Sequence, residues 1–418
     1  MLIGVGAFWP LIAFAGGLGF SPLVTIAALL CLPFAFMRLR PQIYMVGILT
    51  FLAFAAASVT WSDRNIQLFH VDFAAGRFAV TFEVLRVALI LLWSGILMAA
   101  ASKLDPDDAR NVVSVATWAI LVQLVIVAVL ILFQRQALAL FSFAMSDPGE
   151  GVQNIARNGI IMALAAPFLI VGFGRQLSFS RALIVEIAVF AVVVAVLAFG
   201  DVIGPIMSVG FGIASVAIVR VFPRSGFKLI GLGIAIFVMT APFAFGILSS
   251  GADPAAVSNS IDWRLAIWQR VIEVIQQNPM TGHGLGAFRT MEEIIPSGEF
   301  AGRLLAPNHP HNMALQIWVE LGVFGAAIFA LMVILISFRL PEPGKLGVPG
   351  FLAAALAGQF VAISLSFDLW NDWLWACAGI LATMFVVMAR TEADDEPQPE
   401  RTPDRLKPAV GQKVTYQR

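Results

Sequence analysis

Apolar residues run in blocks of roughly twenty along most of this chain, and the polar positions fall in short gaps between the blocks. That pattern predicts helices crossing a bilayer, because such a run spans the hydrocarbon core and a helix satisfies its own backbone there. Twelve runs are predicted, near residues 2–20, 22–37, 42–60, 80–101, 111–133, 158–174, 182–200, 203–221, 228–248, 312–338, 350–367 and 373–389. The first has no basic start and no convincing cleavage site, so it reads as a retained helix rather than a leader peptide. The expected fold class is an all-α polytopic membrane protein with about 12 transmembrane helices and one large outer loop.

Two polar stretches do not fit the membrane. Residues 249–311 are too long for a passive connection between packed helices. Residues 390–418 carry Pro397, Pro399, Pro403 and Pro408 among mixed charges, a composition that cannot offset its ordering entropy. The chain therefore divides into nine membrane helices over 1–248, an outer loop over 249–311, three helices over 312–389 and a disordered tail over 390–418. Composition agrees: 59% of residues are hydrophobic and 12% charged, where a soluble domain carries roughly 25% charged. The net charge of +0 identifies no partner beyond the bilayer, and no nucleic acid is expected. Cys31 and Cys377 both fall in apolar runs, which supports neither a disulfide framework nor a zinc site.

The basic residues orient the helices. With the N-terminus inside, the short inner connections hold Arg38, Arg40, Lys103, Arg110, Arg175, Arg181, Arg220, Arg224, Lys228, Arg339 and Lys345, whereas the outer ones hold Arg64, Arg77, Arg135 and Arg157. Positive residues favour the cytoplasmic side. His70, His283, His309 and His311 then all lie outside, so any histidine chemistry faces the periplasm or the cell exterior.

Within 249–311, Ser260 is placed to cap a helix that ends at Asn278-Pro279. Arg264, Ile267, Trp268, Val271 and Ile275 share one face of it, whereas Arg270 points elsewhere. Arg264 is either a ligand for an anion or an arginine snorkelling from a surface helix. Thr281-Gly282-His283-Gly284-Leu285-Gly286 follows, its glycines permitting tight turns and close approach. No strand precedes it, so it is no dinucleotide site; His283 reads as a turn histidine or a substrate contact. Pro307-Asn308-His309-Pro310 then stops any helix and places His311-Asn312 at the polar edge of an apolar run ending in Gly322 and Gly325. The two glycines would let that helix pack closely on a neighbour.

Taken together these residues resemble the O-antigen ligase and O-antigen polymerase superfamily of bacterial membrane glycosyltransferases, exopolysaccharide polymerase-like members included. His311-Asn312, nine residues, then Gly322 and Gly325 looks like the family's histidine signature. Arg264 with Trp268 looks like its arginine-bearing loop helix, and Pro279 to Gly286 resembles its Pro-x-x-Gly-x-Gly turn. Ser58-Val59-Thr60-Trp61-Ser62 and Arg157-Asn158 are similar to weaker family features. The chain departs from the ligases where they carry a Ser-Arg pair; Phe199-Gly200-Asp201-Val202 stands there instead.

The resemblance implies a C-type glycosyltransferase-like fold in the bacterial inner membrane, with a polyprenyl-pyrophosphate-linked glycan as donor. The acceptor would be a lipid A core for a ligase or a second lipid-linked glycan for a polymerase, with inversion at the anomeric carbon. Arginine suits pyrophosphate because its planar fork binds phosphate oxygens bidentately and stays charged. Arg264 is the first candidate for that role, with Arg157 and Arg289 behind it. A neutral imidazole suits removal of the acceptor proton, and His311 is the candidate. His309, Asn158, Asn312 and His283 are expected to contact substrate, Asn312 also as a helix cap.

No metal or other cofactor is required. Asp105-Pro106-Asp107-Asp108 better starts a helix than binds a cation, and the pair His309 and His311 has no placed carboxylate for zinc. Glu83 and Arg86, three residues apart in an apolar run, are expected to pair with each other. Two other readings stay open on sequence alone: a flippase or transporter of lipid-linked oligosaccharide, and a catalytically lapsed binding member of the same family.

Overall fold

The computed structural model describes residues 1–392 except 16–18, 36–42, 63, 65–68, 73–76, 81, 134–135, 137–138, 140–147, 175–178, 200–202, 258, 291–292, 298–300, 306–308 and 347. The predicted tail beyond Glu392 and the departure at 200–202 thus lie outside the described residues, as do Arg38, Arg40, Arg135, Arg175, Pro307 and Asn308 and the side chains of His70 and Glu186.

Helices dominate. They are α1 (Leu2–Ile12), α2 (Phe20–Ala35), α3 (Ile43–Ala57), α4 (Glu83–Ala101), α5 (Pro106–Leu132), α6 (Pro148–Gly174), α7 (Phe179–Phe199), α8 (Ile203–Val221), α9 (Gly226–Leu248), α10 (Ser260–Gln277), α11 (Met313–Arg339), α12 (Val348–Ser364) and α13 (Asp372–Glu392). One departure from an all-helical chain is a hairpin between α3 and α4. Its strands β1 (Phe69–Asp72) and β2 (Arg77–Val80) pair antiparallel with Phe69 opposite Val80, and Phe69-His70-Val71-Asp72 has the apolar/polar alternation of a strand.

Among the described residues, six helical segments are long and apolar enough to cross a membrane by length and composition: Glu83–Ala101, Pro106–Leu132, Gly204–Val221, Gly226–Leu248, Met313–Arg339 and Asp372–Thr391. Six shorter apolar helices, Leu2–Ile12, Phe20–Ala35, Met45–Trp61, Arg157–Phe173, Ile187–Ala198 and Gly350–Val361, overlap the other predicted runs. The start of α5 shows why its polar edge stays helical. Pro106 occupies the first turn and Asp107 and Asp108 lie at the positive end of the helix dipole.

Two prolines inside the apolar helices are accommodated by partners elsewhere in the bundle. Pro242 in α9 cannot donate to the carbonyl of Val238, four residues back. Trp318 Nε1 of α11 donates to that carbonyl instead, at 2.8 Å. Pro167 in α6 likewise frees the carbonyl of Ala163, and Gln359 Nε2 of α12 donates to it at 2.6 Å. In both cases a buried acceptor that would cost about 1–3 kcal/mol if unpaired becomes a tie between helices.

The bundle has two chemically different ends. At one, Lys103 donates to the carbonyl of Phe34, Arg390 Nε donates to that of Leu104 at 3.1 Å, and Arg220 and Lys228 lie over the rings of Phe351 and Phe338. At the other, where α4 and α13 begin, Glu83 and Asp368 both meet Arg289 from the segment between α9 and α11, and Glu83 also meets Arg64 from the segment between α3 and α4.

Candidate active site

The centre of the site is a break in α11. Gly322 takes φ 63° and ψ −163° inside an otherwise regular helix, which leaves the carbonyls of Val319 and Glu320 without their usual donors at positions 323 and 324. The glycine turn replaces them. His283 N–H donates to Val319 O and Gly284 N–H to Glu320 O, both at 2.8 Å. In return Val323 N–H donates to Pro279 O at 2.8 Å and Phe324 N–H to Met280 O at 3.3 Å.

Glycine is needed at both partners in this exchange. Gly282 has φ 66°, and a Cβ there would run into the backbone of Glu320 and Leu321. The close packing expected of Gly322 and Gly325 against a neighbouring helix is therefore corrected. Gly322 opens the helix to the turn, and a Cβ on Gly325 would meet Leu321 in its own helix.

Ser58 and Ser62 hold the turn from the other side. Leu285 N–H donates to Ser58 Oγ at 3.0 Å, and Ser62 Oγ donates to Leu285 O at 2.8 Å. His283 belongs to this scaffold, its Nε2 lying 3.0 Å from the carbonyl of Val274 in α10.

Helix α10 is fixed by its tryptophans. Asn259, rather than Ser260, caps it, accepting from Ile261 N–H at 2.8 Å and Asp262 N–H at 3.0 Å. Ile267, Trp268, Val271 and Ile275 are buried, as their shared face requires, and Arg270 is turned outward onto Glu273 and Glu293. Trp263 Nε1 donates to Leu305 O at 2.6 Å and Trp268 Nε1 to Pro310 O at 3.0 Å. The segment leading to the histidines is thereby tied to the helix that carries Arg264.

His311 sits between a pinned carbonyl and a helix cap. It is the one non-glycine residue with positive φ among the described residues, at 51°, a conformation costing of order 1–3 kcal/mol. Asn312, fully buried, accepts from Leu315 N–H at 3.1 Å through Oδ1 and caps α11; its Nδ2 has no partner among the described residues.

The rings of His309 and His311 lie 4.2 Å apart, and His309 Nε2 and His311 Nδ1 each lie 3.4 Å from the carbonyl oxygen of Ser366. Burial lowers the pKa of His309 against the pull of Asp368 and the Ser366 carbonyl. For His311, burial first and then His309 and Arg264 push it down to about 4, with the Ser366 carbonyl opposing. Both imidazoles are neutral near pH 7.

Arg264 is the cation that both rings feel, and His309 feels Arg289 as well. Arg264 is half-buried, burial lowers its pKa, and its guanidinium makes no hydrogen bond or ion pair among the described residues. A desolvated cation without a counter-ion is costly, and an anion bound there would relieve that cost.

Arg289 is engaged differently. Its NH1 lies 2.6 Å from Glu83 Oε1 and its NH2 2.9 Å from Asp368 Oδ2. Although burial pulls its pKa down, those carboxylates outweigh it and the net shift is upward. The expected pair between Glu83 and Arg86 is not formed. Glu83, buried at the start of α4, takes Arg289 and, at 3.1 Å, Arg64, whereas Arg86 approaches Asp372 at 3.8 Å. Helical spacing allowed the local pair, but the two loop arginines reach Glu83 from the end of the helix.

Two buried residues beneath the histidines, Gln316 and Glu320, went unrecognised in the sequence, and Trp370 joins them. Gln316 Nε2 donates to Asp368 Oδ1 at 2.8 Å and to Glu320 Oε1 at 3.2 Å, and Gln316 Oε1 accepts from Leu369 N–H at 2.9 Å. Trp370 Nε1 donates to Glu320 Oε2 at 2.6 Å. The network fixes the turn that presents the Ser366 carbonyl. Polar residues four apart in an apolar run, Gln316 and Glu320, were the available signal.

Arg157 and Asn158 stand at one end of the apolar stretch of α6. Asn158 is buried and its Nδ2 donates to Ala13 O at 3.1 Å. A Cβ on Gly159 would lie 3.7 Å from Pro205, and one on Gly204 3.3 Å from Ser366 Oγ. Contact through the first turn of α8 thus connects the Arg157-Asn158 end of α6 to the residue both histidines face.

Residues 152–330 match the family model described as O-antigen ligase. A protein of Rickettsia typhi named as a candidate polysaccharide ligase is 30% identical over 190 residues, covering 41% of this chain and 44% of the relative. Its counterpart in Rickettsia prowazekii is 28% identical over 206 residues, covering 46% and 48%. The chain spans less than half the length of these curated relatives. The matched segment contains Arg157, Arg264, the glycine turn, His311 and Gly322, and over that segment the chain is similar to the O-antigen ligase family.

Proposed function

We propose that the protein is a membrane glycosyltransferase that moves a glycan from a polyprenyl pyrophosphate onto an acceptor hydroxyl. The observation that carries this reading is the desolvated Arg264, without a partner among the described residues, beside the neutral pair His309 and His311. The arginine is suited to the pyrophosphate, because it binds phosphate oxygens in a fork and its charge is weakly screened at a dry boundary.

In the proposed step the acceptor oxygen attacks the anomeric carbon from the face opposite the pyrophosphate. The carbon–oxygen bond to the pyrophosphate breaks as the new glycosidic bond forms, so configuration inverts. His311 takes the acceptor proton, and the polyprenyl pyrophosphate leaves with its charge held by Arg264. An imidazole with so low a pKa is a weak base in the empty site. Neutralisation of Arg264 by the bound donor removes one of the charges depressing it and raises its basicity when it is needed.

Charge neutralisation by arginine means the scheme uses no metal. Arg157 is assigned a supporting place along the donor, and His309 and Asn312 the acceptor side. His283 and Arg289 are assigned to the scaffold, since the first is held on α10 and the second between two carboxylates.

The site is assigned to the periplasmic face of the inner membrane, in the outer loop over 249–311, with twelve spans in all and the segment after 390 cytoplasmic. Supporting this orientation, the histidines lie at the end of the bundle away from Lys103, Arg220, Lys228 and Arg390. The acceptor is a lipid A core in a ligase or a second lipid-linked glycan in a polymerase.

Reconstitution with a labelled polyprenyl-pyrophosphate glycan and each acceptor in turn tests this reading. A new glycosidic product with release of polyprenyl pyrophosphate is expected. Movement of the intact labelled lipid across the vesicle with no product would mean a flippase and overturn it.

A further inference from the structure

A second cavity lies at the basic end of the bundle, remote from the histidines. It measures about 540 Å³ and opens between the start of α9, the end of α11, and helices α12 and α13, a size within the range of about 300–1,000 Å³ typical of ligand sites. Its wall includes Leu164, Leu356, Phe360, Leu381 and Phe385, and the single polar or charged side chain in it is Arg339. Such a cavity suits a hydrocarbon chain entering from the membrane.

Charge says which one. Arg339 is exposed and makes no hydrogen bond or ion pair among the described residues. Lys228, next to the cavity residue Phe227, has its ammonium 5.5 Å above the ring of Phe338 and no acidic partner among the described residues. One cation lining an apolar cavity between helices and a second beside it match a phosphate headgroup above an acyl chain. A zwitterionic lipid would bring a second cation to the same place, and a polyprenyl carrier held at Arg264 would keep its phosphates at the other end of the bundle.

We propose that this cavity binds one acyl chain of an anionic phospholipid, with the phosphate held by Arg339 and Lys228. The proposal is independent of the transfer reaction.

The test is native mass spectrometry of the full chain in mild detergent. The added probes are phosphatidylglycerol, phosphatidylcholine of the same acyl composition, and polyprenyl phosphate. One phosphatidylglycerol per chain is expected, retained about thirty-fold more strongly than phosphatidylcholine for two basic contacts. Arg339→Gln combined with Lys228→Gln should bring phosphatidylglycerol down to the level of phosphatidylcholine. Ala357→Trp should displace either lipid by filling the cavity. Equal retention of the two phospholipids by the wild type, unchanged retention in the double charge variant, or displacement of phosphatidylglycerol by polyprenyl phosphate would overturn the proposal.

Discussion

The amide nitrogen of Gly282 lies 2.6 Å from the place a Cβ on Gly322 would occupy. Each of the two glycines has positive φ; Gly322 leaves room for the backbone of Met280 and Gly282, and Gly282 for that of Glu320 and Leu321, so the turn and the helix break form only together. Alanine at either position meets backbone that cannot move aside, on top of the order of 1–3 kcal/mol for the strained φ. Gly322→Ala and Gly282→Ala should each lower thermal stability and abolish transfer. Gly302→Ala is the control, since Gly302 has φ 82° but open space around it, and should cost only about 1–2 kcal/mol with transfer retained. Thermal unfolding in detergent, with transfer assayed on the same samples, separates these outcomes.

The link from Trp318 to Val238 exists because Pro242 leaves a carbonyl free. Trp318→Phe should therefore destabilise by about 1–3 kcal/mol, the cost of a buried unsatisfied acceptor. Adding Pro242→Ala restores an N–H for the same carbonyl and should recover part of the loss. A double-mutant cycle on the unfolding midpoint reads the coupling, and strict additivity would refute the link.

Glu83 holds Arg64 and Arg289 at once. Glu83→Gln removes the counter-charge of Arg64 and leaves Arg289 with Asp368 alone. The arginines are about a third exposed, 28% and 33%, so the loss should fall below the ~3–5 kcal/mol of a fully buried pair. Limited proteolysis between α10 and α11 should accelerate in this variant, and an unchanged cleavage rate would show that Glu83 does not anchor the segment.

The histidine pair gives a dependence on pH. His311 titrates near 4 in the folded chain and at about 6.5 when unfolded, so between those values the unfolded chain binds more protons. Its contribution to stability is full above about pH 6.5 and is lost as pH falls toward 4. The ring itself should stay neutral at pH 5.5 in the native protein. Arg264→Gln removes one depressing charge and should move the titrations of His309 and His311 upward, read by NMR of labelled histidines. Titrations unmoved by the substitution would show that Arg264 does not face the pair.

The helices and their polar ends were legible because apolar run length is a one-dimensional signal. Candidate residues in the loop were legible because His311-Asn312, Arg264 and the glycine turn occur in a fixed order. What the chain did not announce was partnership over distance. Glu83 and Arg86 are spaced to pair within a helix, yet Glu83 meets Arg289, 206 residues away in sequence. Gly322 looked like a packing glycine because nothing near it in sequence shows that Pro279 to Gly284 will supply hydrogen bonds to an opened helix. Gln316 and Glu320 lay hidden in an apolar run whose length alone marks a membrane span.

The decisive measurement is glycan transfer by purified protein in lipid vesicles, comparing the wild type with His311→Ala and Arg264→Ala, each first shown to insert and to unfold at the wild-type midpoint. Loss of at least about a hundredfold in rate is expected for each, in keeping with the removal of a proton acceptor or of a charge clamp on the leaving group. Transfer at the wild-type rate in either variant would contradict a site built on a phosphate-binding arginine and a neutral histidine base.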